Sequence, residues 1–148
     1  MSVDKSFTFR VEGTPVTQGS MVATGRGRGM RHTNHAALTA WRNRIAVAAV
    51  NAARAAGVKT PIDQPVTVQA VFYLDRPKRP RFNIPATKPD LDKLQRAVGD
   101  ALCPKNPALR VLAEDSRITG WQSEKRYTNA LTQSPGVTAT ITITKEQQ

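Results

Sequence analysis

Five apolar residues at alternate positions, Val66, Val68, Ala70, Phe72 and Leu74, do most to limit what this chain can become. A period of two puts all five on one face of an extended segment, so the stretch reads as a half-buried strand whose apolar face needs a covering layer. The same pattern recurs twice. Phe7, Phe9 and Val11 alternate with Thr8, Arg10 and Glu12 over residues 6–12, and Val137, Ala139, Ile141 and Ile143 alternate with threonines near the end. Residues 117–127, with Trp121 among them, read as a further strand. Two segments with helical spacing supply the cover. From about Asn34 an alanine-rich stretch sets Leu38, Trp41, Ile45, Ala48, Ala49 and Ala52 on one face until Gly57 stops it. After Lys88 and Pro89, Leu91, Leu94, Val98, Ala101 and Leu102 recur as a helix of about three turns starting near Asp90. The order strand, helix, strand, helix, strand, strand predicts an α/β chain of the α+β kind. The expected architecture is a single mixed sheet of about four strands with two main helices packed on it. The last two strands, joined by residues 128–136, are expected to form an antiparallel hairpin. One domain over residues 1–148 is expected from the length.

Charge narrows the choice of partner. The chain carries 22 Lys and Arg against 11 Asp and Glu, a formal net charge of +11, which points to a polyanion. One cysteine excludes an internal disulfide framework, and Cys103 reads as a small apolar residue beside Pro104. With no cationic and apolar leader at residues 1–10 and no run of membrane-spanning length, the expectation is a cytoplasmic chain without membrane contact.

Against that positive background the acids are concentrated. Asp90, Asp92, Asp100, Glu114, Asp115 and Glu124 lie between Lys88 and Tyr127, six of the eleven. Carboxylates repel phosphate, so an acidic cluster in a polyanion binder makes most sense where a metal ion reverses the local sign. Asp90 and Asp92 can converge on one ion if Asp90 takes the helix cap and Asp92 the first turn. Capping and the helix dipole account for the same two residues equally well. Asp92, Arg96 and Asp100 form one charged stripe, with a surface ion pair between Arg96 and Asp100 as the alternative to metal work. Glu114 and Asp115 make a second acidic pair ahead of a strand. Two acidic sites flanking a helix suggest one centre for a hard divalent cation such as magnesium, which takes oxygen ligands from one or two carboxylates, water and phosphate.

The basic residues gather in two segments. Residues 24–32 hold Arg26, Arg28 and Arg31 among glycines, without the Gly-Lys-Ser/Thr ending of a nucleotide-binding loop, so no nucleotide cofactor is expected. Residues 75–87 hold Arg76, Lys78, Arg79 and Arg81 among prolines that stiffen the backbone. Both read as grips on a phosphate backbone. His32 and His35 share no metal-ligand pattern with neighbouring acids or cysteine.

Lys88-Pro89-Asp90-Leu91-Asp92, the following helix to Leu102, Glu114-Asp115-Ser116-Arg117-Ile118 and Glu124-Lys125-Arg126-Tyr127 together resemble the RusA family of Holliday junction resolvases, found largely in phages and prophages. The resemblance implies a magnesium-dependent endonuclease, with manganese able to substitute, that acts as a homodimer on four-way junction DNA in recombination and repair. It places the metal-binding aspartates on Asp90, Asp92 and Asp115 and the catalytic basic residue on Arg96, where the family usually has lysine. Arginine keeps its charge and can clamp a phosphate with two hydrogen bonds, so stabilising the transition state is its expected role. Lys88 and Lys93 join the DNA-contact residues, and Phe82 becomes a candidate to wedge or stack at a branch point. Two rivals stay open: a non-catalytic DNA- or RNA-binding module, and a nuclease for flaps or forks.

Overall fold

The computed structural model describes residues 5–18, 22–23, 30–31, 35–132 and 134–145. Its elements run β1 (Lys5–Glu12), β2 (Val22–Ala23), β3 (Met30–Arg31), α1 (His35–Ala55), β4 (Val66–Leu74), α2 (Leu91–Leu102), β5 (Ile118–Tyr127) and β6 (Gly136–Ile143). The six elements expected from periodicity are all present. The segment read as a loop after residue 18 also contains a two-residue antiparallel ribbon, β2 with β3.

Four strands form one mixed sheet in the order β1-β6-β4-β5. Strand β6 is antiparallel to both β1 and β4, while β5 runs parallel to β4. The expected hairpin of the last two strands does not form, because β4 lies between them. Every second residue of β4 is buried under the helices, while β5, which has no buried residue, and β1 take the two edges.

Register carries each apolar row across the sheet. Phe7 lies opposite Ile141, which lies opposite Val68, which pairs with Trp121; two rows over, Val11, Val137 and Phe72 lead to Lys125. Both helices cover this face. Leu38, Trp41, Ile45, Ala49, Val50 and Ala53 of α1 and Leu94, Ala97, Val98, Ala101 and Leu102 of α2 are buried with the inward strand residues in one core. Trp41 is 2% exposed and belongs to that core, as its place in the apolar stripe predicts. Helix α1 ends at Gly57, whose φ of +72° is open to glycine at little cost. The opposite face of the sheet is polar, with Thr8 hydrogen-bonded to Thr140 at 2.8 Å and Gln69 donating to Gln122 at 3.1 Å. No helix among the described residues is long and apolar enough to cross a membrane.

Candidate active site beside helix α2

Asp90 is the N-cap of α2, with φ −72° and ψ 135°, and its carbonyl accepts from the Leu94 N–H at 3.1 Å. Its carboxylate makes no capping bond to the helix. It stands instead 3.7 Å from Lys93 Nζ, with the two side chains 50% and 38% exposed, a surface pair of about 0–1 kcal/mol. Capping therefore does not account for Asp90. Asp92 follows in the first turn, where the helix dipole favours a carboxylate.

Beside α2 opens a cleft of about 490 Å3. Asp92, Arg96 and Asp100 line it from the helix, Asp115 and Ser116 from the 3-10 turn Asp115–Arg117, and Trp121 from β5. Three carboxylates and a guanidinium thus border one solvent-open space. Asp90 does not line it. Arg96 and Asp100, offered as an ion pair by the sequence, are not paired among the described residues. A second cleft of about 850 Å3 adjoins the first, sharing Asp100, Asp115 and Ser116 and lined also by Arg42, Lys105 and Arg110.

Glu114 and Asp115 have different surroundings although they are neighbours. Glu114 accepts from Ser116 Oγ and from Arg117 Nη1, both at 3.2 Å, and Arg117 reaches on to Asp63 at 2.8 Å. The hydrogen bond that Arg117 donates to Asp63 leads the effects that hold its guanidinium above its ordinary pKa, with Glu114 adding to it. Glu114 is engaged in bracing the turn, and the turn delivers Asp115 to the cleft.

Three contacts from alternate residues of β5 fix α2 above the sheet. Trp121 packs on Gly99, where an added Cβ would lie 3.4 Å from Trp121 Cζ2. Ser123 Oγ donates to Gln95 Oε1 at 2.7 Å. Lys125 Nζ donates to the carbonyls of Thr87 and Pro89 at 2.7 and 2.8 Å, holding the segment that enters the helix. From the other side the Gln18 N–H donates to the Lys93 carbonyl at 3.0 Å, and Arg42 donates to the Gln18 side chain at 3.1 Å. Sequence reasoning missed Gly99, Gln95 and Ser123 and saw Lys125 only as part of a basic strand end. A lysine on the core-facing side of an alternating strand was the available signal.

Among the described residues no three His, Cys, Asp or Glu side chains are gathered closely enough to hold a metal ion by themselves. The donor chemistry of the cleft still suits a hard divalent cation. Its possible ligands are all oxygen donors, the carboxylates of Asp92, Asp100 and Asp115 with the side-chain oxygens of Gln95 and Ser116, and no histidine or cysteine lies in the lining. Magnesium asks for only one or two carboxylates when water and phosphate complete its shell.

The expected DNA contacts are distributed unevenly. Arg76, Lys78, Arg79, Arg81 and Lys88 are exposed on the connection from β4 to α2, while Lys93 is the partner of Asp90. Arg31 lies in β3, and Arg26 and Arg28 lie outside the described residues.

The model of one protein family, described as Endodeoxyribonuclease RusA, matches residues 12–142. A search of the curated proteins gave no match.

Proposed function

The chain belongs to the RusA family of endodeoxyribonucleases, and on that premise we propose that it is a magnesium-dependent enzyme that resolves four-way DNA junctions as a homodimer. The observation that carries this reading is the shared cleft of Asp92, Arg96 and Asp115, drawn from a helix and from a separate turn beyond the loop that follows it. A binding module has no use for carboxylates where phosphate must approach.

Asp92 and Asp115 would hold the ion from the cleft wall, with water and phosphate completing its shell, and Asp90, two residues before Asp92 and outside that lining, is the third ligand that the family pattern assigns. Magnesium, or manganese in its place, supplies Lewis acidity toward the scissile phosphate and a water of lowered pKa. Arg96 sits on the same wall and neutralises the charge that grows on the phosphate oxygens. Arg76, Lys78, Arg79, Arg81 and Lys88 hold the flanking backbone. A two-fold substrate suits two equivalent sites on a two-fold protein, and two nicks in opposed strands then leave ligatable ends.

A labelled synthetic four-way junction, incubated with wild type and with Asp92→Asn in magnesium or in chelator, tests the reading, with binding and cleavage recorded together. Paired nicks that need magnesium and vanish in the variant, while binding persists, support it. Tight binding without a cut under any metal condition leaves a binding module. Faster cutting of a flap or a fork than of the junction moves the substrate.

A further inference from the structure

The connection from β4 to α2 presents two large apolar side chains to solvent amid its cations. Phe82 is 43% and Ile84 69% exposed, and only Val47 and Leu131 join them as exposed large hydrophobics among the described residues. Between Arg76 and Thr87 the segment has no acid, while Arg76, Lys78, Arg79 and Arg81 are all exposed.

The segment is mounted at both ends. The Thr128 N–H donates to the Leu74 carbonyl at 2.9 Å where it leaves the sheet, and Lys125 binds the Thr87 and Pro89 carbonyls where it enters α2. Pro85 is buried, and a tight turn closed by the Ala86 N–H on the Ile84 carbonyl at 2.7 Å leaves Ile84 outside. The Arg81 guanidinium lies 5.2 Å from the Phe82 ring centroid, against one of its faces. Cation and ring are thereby held together, as they would be for a ligand that is anionic on its outside and aromatic within.

We propose that Phe82 and Ile84 form an apolar wedge that enters the branch point and stacks on bases that have lost their partners. The proposal rests on the junction reading and deepens it. Phosphate contacts fix position on a duplex but carry little information about branching, and intact stacks offer no base faces. Four strands exchanging at one point do offer them. Apolar side chains set between base steps unstack the bases and bend the path, and base stacking on aromatic side chains is indifferent to sequence. The four cations bring the duplex arms to the segment, and the wedge selects the place where they meet. The segment continues directly into Asp90 and Asp92, so a wedge seated at the crossover sets the carboxylates against phosphates close to it.

The test uses a junction with 2-aminopurine beside the crossover and a linear duplex made of the same arms, both in chelator so that no strand is cut. The full-length wild type is compared with the double variant Phe82→Ser/Ile84→Ser and with Phe82→Tyr, which keeps an aromatic face. We expect wild type and Phe82→Tyr to prefer the junction and to raise the fluorescence as the base unstacks. The double variant should hold the duplex as well as wild type, bind the junction about 10- to 100-fold more weakly and leave the fluorescence low. Both residues are exposed, so circular dichroism should be unchanged. A selective wild type whose double variant is equally selective and equally fluorescent overturns the wedge and leaves the junction reading standing. A wild type that does not prefer the junction overturns both. Loss of duplex binding in the double variant also overturns the wedge, since the two side chains would then serve general affinity.

Discussion

Asp90 and Asp92 stand two residues apart, and a different force acts on each. Asp90 has the backbone angles of a helix cap without the side-chain bond that makes caps stabilising. Replacing a working cap by alanine costs about 1 kcal/mol, whereas Asp90→Ala should change the unfolding free energy by less than about 0.5 kcal/mol in urea titrations. The same substitution should abolish cleavage of a labelled junction, as the loss of a metal ligand does. Asp92→Asn and Asp115→Asn remove carboxylates from the cleft wall, and each should lower the cleavage rate at least about 100-fold in single-turnover measurements, with junction binding equal or tighter because repulsion is lost. The acids at these positions were legible in the sequence because charge of the wrong sign stands out in a chain of net charge +11. Which neighbour of Glu114 and Asp115 faces the cleft was not. That choice is made by Arg117 and Asp63, and Asp63 lies more than fifty positions upstream, outside any local pattern.

At the scale of elements, the site depends on how α2 lies along β5. Helical spacing announced α2 and alternation announced β5, but their mutual placement rests on Trp121, Ser123 and Lys125 meeting Gly99, Gln95 and two carbonyls. No periodicity encodes such pairs, because each side of a contact is specified by the other. Lys125→Met keeps the length of the side chain and removes the ammonium. The loss of two charge-assisted bonds should cost about 1–2 kcal/mol in denaturant unfolding, below the full value of buried ones because one of them is exposed. Cleavage should fall by more than the loss of folded protein, since the bonds hold the entry to the helix that carries Asp90 and Asp92. Gly99 tests the packing from the other direction. A methyl group at ordinary contact distance from Trp121 adds helix propensity without a clash, so Gly99→Ala should stabilise by about 0.5–1 kcal/mol. Gly99→Leu should destabilise by about 1–3 kcal/mol, because the indole would have to move. Equal midpoints for the two variants would show that Trp121 does not press on the helix.

At the scale of the whole molecule, the layers were legible and the sheet order was not. Alternating strands and striped helices say that two layers exist, whereas the order β1-β6-β4-β5 depends on which strands pair along their edges. The hairpin expectation failed because β4 inserts between β5 and β6 and pairs along its full length with both, a choice that chain proximity does not reveal. The result places β5 at an edge under α2, while the connection that carries the exposed cations leads from β4 into the start of that helix. Electrostatics at this scale makes a quantitative prediction. Binding to a duplex releases counterions, and log K falls against log salt with a slope of about −0.9 for each phosphate neutralised. Replacing Arg76, Lys78, Arg79 and Arg81 together by glutamine removes four exposed charges and should make the slope shallower by about 3–4, with the fold retained because none of the four is buried. A slope that stays within one of the wild-type value would mean that the duplex runs elsewhere. The other exposed charges, or those lining the second cleft, would then be the phosphate contacts, and the path of the DNA across the molecule would have to be redrawn from Arg42 and Lys105.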